Sequence, residues 1–226
     1  MPYASRFRQI LRDNGLALVL GLLFLASALG QIACGLAAYN EARAEWGKAA
    51  VSLATYLQSG HFVEALFENW ESEFLQMGLF VWLSARLVQK GSAESKPMDE
   101  PFEGDEDPRA HRDDPDAPGP VRRGGWLLWM YERSLVFAFS SLFLLSFALH
   151  AFGGLKLENE ERLAHSLAPQ SLGEFLYSSE FWFQSFQNWQ SEFLAILAIV
   201  VFTIFLRQRG SPQSKAVAAP HSETGD

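Results

Sequence analysis

Four apolar stretches punctuate the chain, and they are of two kinds. Leu16–Ala38 runs 23 residues without a charge, and Ser134–Leu155 runs 22 with only His150 able to carry one. A bilayer core about 30 Å thick needs roughly 20 helical residues, so each of these predicts a transmembrane helix. Phe74–Leu87 and Phe193–Leu206 are shorter, at 14 residues each. Such a run covers only about 21 Å of helix. To span, each has to extend backward through a polar and aromatic segment, "FENWESEFLQM" at Phe67–Met77 and "FQNWQSEFLAI" at Phe186–Ile196. A helix of about 20 residues ending at Val88 then starts near Asn69, and one ending at Leu206 starts near Gln187. The pattern leaves open whether 62–70 and 181–189 continue those spans or lie flat on the outer leaflet.

The two segments belong to a longer internal repeat. A shift of 119 positions sets Ser52–Lys96 on Ser171–Lys215 without a gap. Asn69, Trp70, Ser72, Glu73, Phe74 and Leu75 then coincide with Asn188, Trp189, Ser191, Glu192, Phe193 and Leu194. The register continues upstream, with Asn40-Glu41 on Asn159-Glu160. The predicted unit is helix, polar loop, helix and a Gly-Ser-x-x-Ser-Lys exit, Gly91–Lys96 and Gly210–Lys215. It also bears on a rival reading, in which Arg6, Arg8 and Arg12 precede a signal peptide cleaved near Cys34. The first apolar run is long for that, and its internal counterpart Ser134–Leu155 cannot be a cleaved leader.

Between the halves, 97–121 holds nine Asp or Glu, six Pro and only two Arg. Such a composition cannot bury a core and predicts a disordered acidic linker. The expected organisation is a first two-helix membrane repeat at 1–96, the cytoplasmic linker at 97–121, a second repeat at 122–215 and a disordered tail at 216–226. Arg6, Arg8, Arg12, Arg86, Lys90 and Lys96 flank the first repeat's helices on one side, and Arg122, Arg123, Arg133, Arg207, Arg209 and Lys215 flank the second's. The loops within the hairpins carry only Arg43, Lys48, Lys156 and Arg162. The positive-inside rule then puts both termini and the linker in the cytoplasm. Both units run the same way, which predicts a parallel repeat rather than an inverted one.

A formal net charge of -8 without a basic stripe argues against a nucleic-acid partner. The single Cys34 excludes an internal disulfide and a cysteine-based metal site, and reads as a small packing residue. The five His are scattered without metal-ligand spacing, so neither a metal nor a cofactor is predicted.

The repeated motif carries the candidate chemistry. Val63, Phe67, Trp70 and Phe74 recur at helical spacing, as do Trp182, Phe186, Trp189 and Phe193. Asn69 and Glu73 share a neighbouring face, as do Asn188 and Glu192. Read structurally, Trp and Phe form an aromatic belt, Ser59 and Ser178 cap helices, and Asn bonds across helices. Carboxylates within a span are costly, however, and usually face a bundle interior or a wet cavity. Gln31 and His150 occupy equivalent positions, so the candidate cluster is Glu73, Glu192, Asn69, Asn188, Gln31 and His150. Glu64, Glu68 and Glu71 have no charged match in the second half and predict a solvated face. Arg86 reads as a side chain snorkelling to the inner headgroups.

The motifs "NWESEFLQM" and "NWQSEFLAI", the exits "QKGSAESKP" and "RQRGSPQSKA", and the opening "RDNGLALVLGLLFL" resemble an uncharacterised domain family of small bacterial membrane proteins. The resemblance covers nearly all of the chain outside the acidic linker. It implies a bacterial source and an inner-membrane address, and brings no activity, ligand or catalytic residue. The predicted fold is an all-α integral membrane protein with four transmembrane helices, arranged as two tandem parallel-repeat helical hairpins. The predicted function is non-enzymatic, a structural or interaction role in the envelope. Its partners would be the lipid bilayer and either a second copy or another membrane protein. The alternative is a small transporter or channel passing protons or cations through the paired Asn/Glu cluster. No nucleophile–base pair, metal constellation or phosphate loop favours an enzyme.

Overall fold

The architecture is that of a computed structural model, which describes residues 2–98 and 100–225, with side chains from residue 8 onward. Arg6 of the basic cluster therefore has its side chain outside the described residues, as do Met1, Asp99 and Asp226 of the segments named above. Among the described residues every regular element is helical. In chain order they are α1 (Pro2–Glu45), α2 (Leu53–Tyr56), α3 (Gly60–Ser84), α4 (Gly119–Arg123), α5 (Gly125–Tyr131), α6 (Ser134–Ala164), α7 (Leu172–Leu176) and α8 (Ser179–Phe205).

Three of these helices are long and apolar enough to cross a membrane: Arg8–Glu45 within α1, α6, and α8. The fourth helix expected to do so, α3, is 25 residues long, or about 37 Å. It carries Glu64, Glu68, Glu71 and Glu73 within its first fourteen residues, which dilutes its apolar character and keeps it out of that group. α3 and α8 start well before Asn69 and Gln187, at Gly60 and Ser179, and run unbroken through 62–70 and 181–189. Neither 62–70 nor 181–189 forms a helix separate from the apolar run that follows it.

Local signals explain where the helices begin. Phe62 and Phe181 each donate a backbone N–H to Ser59 Oγ and Ser178 Oγ, both at 3.2 Å. A serine oxygen at this position satisfies one of the orphan N–H groups of the first turn. Ser171 and Glu174 form a reciprocal capping box at α7. In α1 the helix kinks at Asn14, with φ -128° and ψ 15°. Its side chain donates to Ile10 O at 3.2 Å, just ahead of the first apolar run.

The chain divides into two compact units, Met1–Glu64 with Phe152–Gln170, and Ala65–Ala151 with Ser171–Asp226. In the first, the loop after α1 is bracketed by Asn40. Its Oδ1 accepts from Val51 N at 2.8 Å and its Nδ2 donates to Val51 O at 3.3 Å. Asn159 brackets Gln170 in the same way, at 2.6 and 3.0 Å. Arg43 and Arg162 donate to Ala49 O and Ala168 O at 2.9 and 2.7 Å. Each bond recurs 119 positions on. The turn needs a left-handed residue, which is Gly47 (φ 67°) in one loop and Ser166 (φ 58°) in the other. The unit's core centres on Tyr39 and Tyr56, 4% and 1% exposed. Tyr39 Oη donates to Glu160 Oε2 at 2.8 Å. Burial pushes the Tyr56 phenol above its ordinary range. Gly60 of α3 lies against the backbone of Leu157 and Gly153 in α6. Cys34 is exposed rather than packed, because the surface of α1 around it is not covered by protein.

The second unit holds most of α3, α6 and α8. In the linker, the described residues form two single 3-10 turns, Glu103–Asp105 and Pro108–His111, and the start of α4 at Gly119. Among the described residues of 97–121, Val121 is buried and the others are exposed or half-buried. Lys96 Nζ bridges to Asp105 Oδ2 at 2.7 Å. The tail at 216–226, expected to be disordered, instead folds back over its described length. Lys215 Nζ donates to the carbonyls of Pro220, His221 and Glu223 at 3.1, 3.2 and 2.7 Å. Gly91 N–H donates to Thr224 Oγ1 at 2.8 Å, and Gly225 N–H to Ser92 O at 3.0 Å. Composition predicted disorder because the tail is nearly free of large apolar side chains. Side-chain to backbone bonds order it in their place. Burial, and then neighbouring Arg207, press the Lys215 ammonium below its ordinary range, against the pull of Glu223.

Candidate functional site

The polar centre of the second unit forms where α3, α6 and α8 meet. His150 lies on α6 and Glu71 on α3; the side chains of both are fully buried. His150 Nδ1 sits 3.0 Å from Glu71 Oε2, and Nε2 sits 3.3 Å from Gln184 Oε1 on α8. The second carboxylate oxygen is occupied as well: Trp189 Nε1–H of α8 donates to Glu71 Oε1 at 3.2 Å. One turn earlier on α3, Glu68 Oε1 accepts from Asn188 Nδ2 of α8. One turn later, Gln76 Nε2 donates to Glu192 O at 2.8 Å. A buried charge is tolerable only when it is paired and its remaining lone pairs are met. Here both oxygens of Glu71 and both nitrogens of His150 have partners.

Aromatic rings close the surroundings. Phe181, 0% exposed, lies against the His150 imidazole at 4.9 Å between centroids, tilted by 33°. Phe147 and Phe175 each pack on Phe181 at 5.4 Å. Phe143 meets Trp189 edge-on at 6.4 Å. This apolar wall lowers the local dielectric, which strengthens the Glu71–His150 contact and raises the cost of breaking it. Ser185 is also fully buried, and its Oγ has no hydrogen-bond partner among the described residues.

The six residues expected to cluster are placed differently from one another. His150 is in the centre. Asn188 is half-buried and joins it at one remove through Glu68. Asn69 and Glu73 are exposed, and the Asn69 amide turns back to Ala65 O at 2.9 Å. Glu192 is half-buried and within electrostatic reach of Glu73. Gln31 is half-buried on α1, in the other unit. The carboxylate that meets His150 is therefore Glu71, not Glu73 or Glu192.

Glu64 and Glu71 correct the solvated-face expectation, being 8% and 0% exposed, and Glu68 is half-buried and bonded. Positions 71 and 73 differ by two residues, or about 200° around a helix, so the two carboxylates point to opposite sides. A signal for Glu71 was present in the repeat. Under the 119-residue shift His150 falls on Gln31 and Glu71 on Gln190. Two titratable groups thus stand where the other half has neutral amides, in complementary fashion. Arg86 is exposed; it donates to Trp82 O at 2.8 Å and lies over the Trp82 ring at 4.5 Å. Among the described residues no three His, Cys, Asp or Glu side chains are grouped to hold a metal ion.

The model of the family described as a domain of unknown function, DUF6766, matches residues 7–226. The chain belongs to that family. No curated protein and no solved structure matches it. The match runs through the acidic segment and the tail as well as the helices. The Glu71–His150 centre of this DUF6766 chain is therefore read from its own geometry alone.

Proposed function

We propose that this DUF6766 protein is a non-enzymatic integral membrane protein with a structural or interaction role in the envelope, its helices held by the Glu71–His150 clamp. The observation that carries this reading is that the buried pair spends all its hydrogen-bonding groups on three helices of one unit. A transport site needs groups left over for a passing ion. Of the carboxylates repeated in both halves, Glu73 is exposed and Glu192 half-buried. That suits headgroup or loop contact better than an inward-facing pair. Reconstituted into liposomes, the protein is expected to pass protons and monovalent cations no faster than empty vesicles do. A flux abolished by Glu73→Gln with Glu192→Gln would overturn the reading in favour of a small channel or transporter.

We also propose that α3 is a fourth span, giving two tandem parallel hairpins in a bacterial inner membrane with both termini and the linker cytoplasmic. Three things support it: the length of α3, the partnered state of Glu68 and Glu71, and the Lys/Arg distribution. Single cysteines at Gly47 and Ser166, in a chain with Cys34 replaced, should both react with a membrane-impermeant thiol reagent from outside the cell. Those at Lys90 and Arg209, both exposed, should react only after lysis. Labelling of the two hairpin loops from opposite sides would refute the parallel arrangement.

A further inference from the structure

We propose that the Glu71–His150 centre is a proton-binding site, whose occupancy sets how firmly α8 is held to α3 and α6. The proposal rests on the clamp described above and adds a ligand to it. Both ring nitrogens of His150 face oxygen atoms, Glu71 Oε2 and Gln184 Oε1. An imidazole with a single proton satisfies only one of them. The doubly protonated ring satisfies both, and its positive charge is matched by a carboxylate whose other oxygen already accepts from Trp189.

Release of the proton is a balanced step within these groups. The Nε2–H proton leaves to water, and the Nε2 lone pair then faces Gln184. The amide of Gln184 turns over, so that its NH2 donates where its oxygen accepted. Glu71 keeps its bonds from Nδ1–H and Trp189 but loses the charge that balanced it, leaving a buried carboxylate without a counter-ion. The cost falls on α8, since Gln184, Trp189 and Phe181 all approach the pair from that helix.

The other titratable groups around the site allow this assignment. From α3 the carboxylates within electrostatic reach are Glu71 itself and Glu68. α6 presents no charged side chain other than His150 within 134–155. On α8, Glu192 lies within electrostatic reach of the like-charged Glu73, away from the His150 contacts. Glu174 of α7 is engaged in its own capping box. Ser185, fully buried with an unpartnered hydroxyl, lies one turn from both Phe181 and Trp189 on α8. It offers a spare donor and acceptor on the face that carries the site.

The test is histidine 15N nuclear magnetic resonance on the full chain in lipid nanodiscs, with His150 identified as the signal lost in His150→Gln. At neutral pH both ring nitrogens are expected to be protonated. On titration from about pH 5 to about pH 9, the range in which imidazoles commonly change charge, His150 should pass to the neutral form in one step. In Glu71→Gln the doubly protonated signal should be gone at neutral pH. In Trp189→Phe, which keeps the carboxylate, it should persist; this variant serves if Glu71→Gln does not fold. A neutral His150 in the unaltered protein at neutral pH, or a charged ring persisting in Glu71→Gln, would overturn the proposal. Ion flux in the liposome assay would sink the structural reading while leaving this signal where it is, so the two fail separately.

Discussion

At the scale of single residues, the consequence of Glu71 is the sharpest. Truncating one member of a buried ion pair strands the other, at a cost of about 3–5 kcal/mol. Glu71→Ala is expected to destabilise the protein by about that amount in thermal unfolding in detergent, and Glu73→Ala, at an exposed site, to stay within about 0.5 kcal/mol. Equal effects at the two positions would mean that the pair carries no special weight. Glu73 drew attention in the sequence because it recurs as Glu192, whereas Glu71 recurs as Gln190. Recurrence selects what both halves need. A site made once, by a histidine from one half and a carboxylate from the other, sits where the halves differ.

At the scale of elements, the close approach of α3 and α6 within the first unit depends on two glycines. A methyl group at Gly60 would lie 2.7 Å from Gly153 O and closer still to the Leu157 backbone; one at Gly153 would meet the Glu64 backbone. Backbone atoms cannot step aside as side-chain ends can. Gly60→Ala and Gly153→Ala should therefore each cost about 1–3 kcal/mol by overpacking, read from unfolding temperature. Gly119→Ala, where a methyl would meet nothing within 4 Å, should have little effect. The helix starts and loop brackets were legible beforehand, since Ser59, Ser178, Asn40 and Asn159 act on residues close along the chain. The glycine contact was not, because nothing near Gly60 in sequence reveals what lies across from it.

For the whole molecule, the tail and the exits after α3 and α8 are joined by polar bonds rather than by a core. Lys215 organises the tail through three carbonyls, and the tail in turn holds Gly91 and Ser92. In Lys215→Ala the Gly91 amide is expected to exchange its hydrogen at least about tenfold faster, since the loss of bonds worth about 1.5–3 kcal/mol to a charged donor exceeds a factor of ten. Unchanged exchange would mean that the exit holds without the tail. Apart from the tail, the coarse plan matched its expectation: helices only among the described residues, with the apolar runs at 16–38 and 134–155, and that at 193–206 up to Phe205, inside helices fit to cross a membrane.

What the sequence determined alone is everything encoded over short separations. An uninterrupted apolar run specifies a span because a bilayer offers no water to unpaired peptide groups. A serine before a helix specifies its start because the first N–H groups need an acceptor. The pairing of Glu71 with His150, 79 positions apart, belongs to the tertiary structure. It depends on the rotation of each helix about its own axis, and one residue of rotation is about 100°. That angle is decided by how the faces of α3, α6 and α8 pack against one another, and no short window of the chain contains it.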